Sequence, residues 1–170
     1  APRLIGGLIL VTGLLGMWMS NAATAMVMMP MALSIANLVN RDGQSHPALT
    51  KALVLAVAYA PCLGGLSTFI GTPTNAVLEG YLDKTYGYSL NLADWMAFGV
   101  PVAAVLLFLC WGLLCVSLLR GAPPMPHLGA LMRAEYARLG AFTRGEIATT
   151  AVFLLCVIAW VFNDFWSGLL

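Results

Sequence analysis

Charge is scarce in this chain. Of its 170 residues, 8 are Lys or Arg and 7 are Asp or Glu, so 9% are charged. A soluble domain carries about 25%. Hydrophobic residues make up 61%, and the mean hydropathy is +0.89. This excludes an ordinary water-soluble domain and predicts an integral membrane protein. The formal net charge of +1 says nothing about nucleic acid, and no basic cluster is long enough to suggest such a partner, so none is expected. Cysteine is also sparse. Cys62, Cys110, Cys115 and Cys156 all lie in apolar stretches, with no C-x-x-C and no His at ligand spacing. A disulfide framework or a metal centre is therefore not expected, and the four thiols are read as small buried hydrophobes. His46 and His127 fall in loops without partners and read as surface histidines. No cleavage pattern accompanies the apolar run that begins at Leu4, so no signal peptide is expected. The chain starts within one hydrophobic segment and stops at Gly168-Leu169-Leu170. It reads as a piece of a longer polytopic protein.

What is present is apolar sequence with two polar interruptions. The first is Ser20-Asn21-Ala22-Ala23-Thr24, inside a stretch, residues 4–39, that carries no charge. A full span needs about 20 apolar residues. The halves on either side of Ser20-Asn21 are each short of that. Residues 1–39 are therefore predicted to form a re-entrant helical hairpin, with its tip at Ser20-Asn21 capping the second arm and Pro30 kinking it. Residues 40–51 form a polar loop. Residues 52–82 read as one discontinuous transmembrane helix: an apolar half over 52–63, a break over 64–75, and a short helix over 76–82 capped by Thr74-Asn75. Gly64, Gly65, Gly71 and Pro73 interrupt it. The glycines are expected to permit close backbone approach and positive φ. Residues 95–119 read as an uncharged transmembrane helix with Trp95 as its interface anchor. Residues 120–146 form a linker. In it Leu128, Leu131, Met132, Tyr136 and Leu139 recur at helical spacing, opposite Arg133 and Arg138, as in an amphipathic interfacial helix. Residues 147–170 begin the next span. The fold class is all-α, polytopic, one half of an inverted-repeat transporter. Loops 40–51 and 120–146 hold the basic residues, whereas Glu79, Asp83 and Asp94 outnumber Lys84 on the opposite loop. The basic loops are thus predicted to be cytoplasmic.

In hydrocarbon, an unpaired backbone N–H or C=O costs several kcal/mol, so unwound chain at that depth must be buried in protein or line a cavity. Both breaks are rich in Ser, Thr, Asn and Gly, and neither holds Lys, Arg or His. Two helices begin at them. Their free N–H groups and partial positive charge suit a carboxylate, sulfate or phosphate. The carbonyls of the half-helices that end there, with neutral side-chain oxygens, suit a desolvated hard cation such as sodium. A site holding an anion beside a cation is expected. Met17, Met19, Met26, Met28, Met29 and Met31 read as flexible hairpin packing rather than a metal path. An intramembrane hydrolase using Ser20 lacks a His or Asp to activate that serine, so no enzyme is predicted. A channel or structural membrane subunit remains as another class.

Met17-Trp18-Met19-Ser20-Asn21-Ala22-Ala23-Thr24-Ala25-Met26 followed by Pro30 resembles the first Ser-Asn-Thr hairpin motif of the divalent anion:sodium symporters. Gly64-Gly65-Leu66-Ser67-Thr68-Phe69-Ile70-Gly71-Thr72-Pro73-Thr74-Asn75-Ala76 is similar to the Gly-Thr-Pro-Pro-Asn signature that follows it. The resemblance covers nearly the whole chain. It implies sodium-coupled symport of dicarboxylates, citrate or sulfate, a homodimer, a multi-pass protein of the plasma (inner) membrane, and sodium as a transported ion rather than a prosthetic group. It implies substrate contacts at Ser20, Asn21, Thr24, Thr72, Pro73 and Asn75, and sodium contacts at Ser20, Asn21, Thr68 and Gly71. The chain departs from the pattern at Ala22, where the motif has Thr, and at Gly16, where many members have Ser. A proton-coupled or exchange carrier of the same superfamily is the alternative.

Overall fold

A computed structural model describes residues 1–40, 46–120, 128–138, 140 and 142–161. Their regular structure is entirely helical: α1 (Pro2–Gly16), α2 (Asn21–Val39), α3 (Pro47–Gly65), α4 (Pro73–Tyr86), α5 (Leu92–Leu118), α6 (Leu128–Arg138) and α7 (Arg144–Val161). α2, α3, α5 and α7 are long and apolar enough to cross a membrane. The chain forms two units. One holds α1 to α4 and nearly all of α5, and the other holds α6 and α7.

Proline punctuates the first unit. α1, α3 and α4 each open on a proline, where a missing N–H costs nothing because the first-turn donors have no intrahelical acceptor. α3 is the core. Leu49, Ala52, Leu53, Ala56, Val57, Ala60, Pro61, Gly64 and Gly65 are buried along it, and α1 and α2 both pack against it. Four of those residues are Ala or Gly at i+4 steps, the small stripe that lets backbones meet where lipid supplies no hydrophobic drive. α1 answers with Ile5, Leu8, Ile9, Thr12, Gly13 and Gly16, and α2 with Thr24, Met28, Ala32 and Ala36. At Gly64 a methyl group would collide with the Gly13 backbone. α2 runs antiparallel to α3. The end of α2 meets the start of α3, where the His46 N–H donates to Asn40 Oδ1 at 2.8 Å and Asn40 Nδ2 donates to Thr50 Oγ1 at 3.3 Å. α5 packs across the second break and α1. Trp95 Nε1 donates to the Leu66 carbonyl at 3.1 Å, and Trp111 Nε1 donates to the Pro2 carbonyl at 2.9 Å.

Both expected breaks are present, with shifted bounds. The first occupies residues 17–20, because Asn21 to Thr24 are already helical. The second occupies 66–72. α3 continues through Gly64-Gly65, and α4 runs from 73 to 86, longer than the short helix expected. At 19 residues, α2 is not short of a crossing. Gly64, Gly65 and Gly71 do not take positive φ; among the described residues only Gly87 and Gly140 do. The break glycines serve close approach alone. Gly87 ends α4 at φ 66°, its N–H donating to the Asp83 carbonyl at 2.9 Å.

Other readings need correction. His46 is buried, 9% exposed, at the head of α3. Cys62 and Cys156 are exposed, and Cys110 and Cys115 half-buried, because they sit on outward faces of apolar helices. Met28 is buried, whereas Met26 and Met31 face outward. Trp95 is tied into protein as well as standing at a helix start. It also meets Phe69, with ring centroids 4.8 Å apart.

In the second unit, α6 forms where the amphipathic helix was expected, yet Tyr136 of its apolar stripe is 78% exposed. α7 starts with a capping box that the sequence spells as Thr-x-x-Glu. The Thr143 N–H and hydroxyl donate to Glu146 Oε2 at 2.6 and 2.9 Å, and the Glu146 N–H donates to Thr143 Oγ1 at 3.3 Å. No residue of α7 is buried. The loop basic residue Arg41, the side chains of Leu128, Leu131 and Arg138, and the residues His127, Leu139 and 162–170 lie outside what is described.

Candidate functional site

The two breaks meet. Thr68 of the second donates its hydroxyl to the Met17 carbonyl of the first and accepts the Gly71 N–H at 3.0 Å. Gly71 packs so closely on Gly16 that a Cβ there would lie 2.5 Å from the Gly16 carbonyl oxygen. Thr68, assigned to sodium by resemblance, thus spends its hydroxyl on joining the breaks.

Asn75 is not a helix cap. Thr72 is the N-cap residue of α4, and Asn75, buried in its first turn, reaches back across the break. Its Nδ2 donates to the Gly65, Leu66 and Thr68 carbonyls at 3.2, 3.4 and 2.8 Å. The Leu66 carbonyl also takes the Trp95 indole. The Gly64 carbonyl takes the Ser67 N–H at 3.0 Å and the Ser67 hydroxyl. Most carbonyls expected to be free at the end of α3 are therefore already partnered, as burial at this depth demands. In the first break, Ser20 caps α2, its Oγ accepting the Ala23 N–H at 3.3 Å. The side chain is exposed and keeps a donor proton.

Unsatisfied oxygens remain beside that framework. Asn21 Oδ1, Thr72 Oγ1, Thr24 Oγ1 and Thr12 Oγ1 are buried without a hydrogen-bond partner. Each costs about 1–3 kcal/mol unless something fills its need. Two of them converge. A Cβ built on Gly65 would stand 2.8 Å from Thr72 Oγ1, 3.0 Å from Asn21 Oδ1 and 3.2 Å from the Gly71 carbonyl oxygen. Asn21, Thr72 and Gly71 are thus brought together at Gly65, with Ser20 next to Asn21. Thr24 is fully buried in α2, and Pro73 is exposed at the first position of α4. Among the described residues no group of His, Cys, Asp or Glu is placed to hold a metal ion. Whatever binds here is met by neutral oxygens and amide N–H groups.

A sequence model of the citrate transporter family matches residues 1–170, the whole chain that carries this double break. The chain belongs to the citrate transporter family. It is 35% identical over 170 aligned residues to the sodium-dependent dicarboxylate transporter SdcS of Staphylococcus saprophyticus. The proteins of the same name in Staphylococcus aureus strains USA300 and NCTC 8325 are 32% and 31% identical. Each alignment takes in 96% of this chain and 33% of the relative. The chain therefore spans about a third of the length of the curated relatives it matches. Family membership and four helices long enough to cross a bilayer make it part of a multi-pass integral membrane protein.

Trp95 is the residue of this site that sequence reasoning assigned elsewhere. An aromatic at a helix start reads as an interface anchor, and only the fold shows that the break lies within its reach.

Proposed function

We propose that this chain supplies one binding half of a sodium-coupled symporter of small divalent anions such as C4-dicarboxylates, citrate or sulfate. One observation carries the reading: two helix breaks meet, and the buried oxygens of Asn21 and Thr72 converge there with no partner in the chain. A carboxamide oxygen, and a hydroxyl whose proton rotates away, present lone pairs that suit a hard cation. The exposed Ser20 hydroxyl and the first turns of α2 and α4 suit the carboxylates of an anion alongside. Bound together, each lowers the cost of burying the other, which is a physical basis for coupling. The relatives' names, sodium-dependent dicarboxylate transporter, support the same pairing.

Within this reading α1 and α2 are the arms of a re-entrant hairpin opening to the cytoplasm. α1, at 15 residues, reaches about 22 Å against a hydrocarbon core of about 30 Å. The intact transporter is a homodimer in the plasma membrane, and a second half of opposite topology completes the site. The test is succinate uptake by the full-length protein in proteoliposomes, with and without an inward sodium gradient. Sodium-stimulated uptake that Asn21→Ala abolishes, at unchanged membrane insertion, is the expected result. Uptake driven by a pH gradient and indifferent to sodium replaces the reading with proton coupling.

A further inference from the structure

A groove of about 370 Å³ runs between α1 and α5. We infer that it binds one anionic phospholipid, with an acyl chain along the groove and the phosphate at Arg3 and Arg120. What the breaks carry does not enter into this.

Small residues of α1 and large ones of α5 make the groove. α5 seats Trp111 over Gly6 and Leu107 over Gly13: a Cβ on those glycines would lie 3.1 Å from the Trp111 ring nitrogen and 2.8 Å from a Leu107 methyl. Beside these notches Leu10 and Leu14 of α1 and Phe108 of α5 form the walls, each more than half exposed. The lining has no side-chain N–H or O–H to spare. The Ser67 hydroxyl is bonded to the Gly64 carbonyl, and the Trp111 N–H to the Pro2 carbonyl. An apolar space of this kind stays dry and takes apolar guests. Along α1 it extends from Gly6 to Met17, about 16 Å of helix. That is half of a hydrocarbon core about 30 Å thick, the depth that the chains of one leaflet fill.

Positive charge stands at one end of it. The Trp111–Pro2 bond ties the start of α1 to the last turns of α5. Arg3 lies in the first turn of α1 and Arg120 just past the end of α5. Both are exposed, and neither has an ion-pair partner among the described residues. The described carboxylates of the first unit are elsewhere: Glu79 and Asp83 on α4, and Asp94 in the first turn of α5, at its opposite end. A cation in the first turn of a helix opposes the helix dipole, so Arg3 gains nothing from α1 itself. A tryptophan suits the membrane interface. A phosphate at that level meets both guanidinium groups while its chain enters the groove, and arginine takes phosphate by paired N–H donors. On the orientation proposed above this end faces the cytoplasm, where the leaflet is negatively charged and basic sites between helices take anionic head groups. A zwitterionic lipid offers the same chain but adds a cationic group, which two arginines repel.

The test titrates the purified full-length protein in detergent with phosphatidylglycerol or with phosphatidylcholine. The midpoint of thermal unfolding is read together with the lipid retained per subunit in native mass spectra. Phosphatidylglycerol is expected to raise the midpoint by about 3 °C more than phosphatidylcholine at equal concentration, and one molecule per subunit is expected to stay bound. Arg3→Gln with Arg120→Gln is expected to remove that difference while the lipid-free midpoint moves by no more than about 1 °C, because exposed charges contribute little. Ala104→Trp places a ring in the groove from an exposed position of α5 and is expected to lose the retained molecule. If that variant does not fold, Ala104→Leu takes its place under the same criteria. A wild type that responds equally to both lipids, a preference that survives the double arginine replacement, or retention indifferent to residue 104 each overturns the site. So does a wild type that retains no lipid, the result expected if another part of the protein or a second copy covers the groove. Glycerol phosphate that raises the midpoint as far as phosphatidylglycerol does shows an anion held without a chain, and overturns the inference too. None of these outcomes bears on sodium-driven uptake, which is measured separately.

Discussion

Asn75 acts through its nitrogen. Its amide donates to the carbonyl of Gly65, the last residue of α3, and to those of Leu66 and Thr68 in the second break. Asn75→Asp keeps the shape but replaces those donors with a carboxylate oxygen facing carbonyl oxygens. It is expected to destabilise the intact protein by about 1–3 kcal/mol or more for each carbonyl left unpaired, read as a lower midpoint of thermal unfolding in detergent. Glycines divide by the same logic. Gly64→Ala drives a methyl into the Gly13 backbone, a case of overpacking worth about 1–3 kcal/mol. Gly7→Ala, with nothing within 4 Å of its added methyl, is expected to be neutral or to stabilise α1 by up to about 1 kcal/mol. The difference between the two midpoints checks both.

Between elements, the α5 contact is the one that composition did not announce. Trp95 joins α5 to the break by an indole hydrogen bond to Leu66 and a ring contact with Phe69. Trp95→Phe retains the ring and loses the bond, at about 1 kcal/mol. Trp95→Leu loses both and is expected to cost more. Sodium-dependent thermal stabilisation of the full-length protein should weaken in the same order, because the Leu66 carbonyl lies in the break that carries Thr72. The existence of both breaks was legible in the sequence, since Ser20 beside Asn21 is a helix-capping pair and Gly71-Thr72-Pro73 interrupts a helix. Their edges were not. Gly64 and Gly65 each carry a helix penalty of about 1 kcal/mol, and close packing, of Gly64 on Gly13 and of Gly65 on Gly71, overrides it. The faces of the apolar helices were equally hidden. α5 and α7 are apolar all round, so periodicity gives no inward side, and Cys156 of α7 points out although its apolar setting suggests burial. Of the residues expected at the site, Asn21, Gly71 and Thr72 are the ones the fold brings together at Gly65. The employment of Thr68 and Asn75 in joining backbone was not legible, because it depends on which carbonyls the fold brings near.

For the whole molecule, loop charge sets orientation. Lys51 lies in the first turns of α3 and Lys84 in the last turn of α4, at opposite ends of the segment that the second break interrupts. With native cysteines replaced, a cysteine at position 84 is expected to react with an impermeant thiol reagent added to whole cells. One at position 51 is expected to react only after permeabilisation, and the reverse pattern inverts the topology. α7 has no buried residue, so its apolar side chains remain open to contact. The two breaks, in contrast, share a fastening: Thr68 of one holds Met17 of the other, while the crossing of α1 and α3 at Gly13 and Gly64 is bare main chain against main chain. A joint with no side chains between its faces has no rotamers to reset and no slack in which to slide. α1 and α3 are therefore expected to be displaced as one solid piece in any rearrangement of this unit.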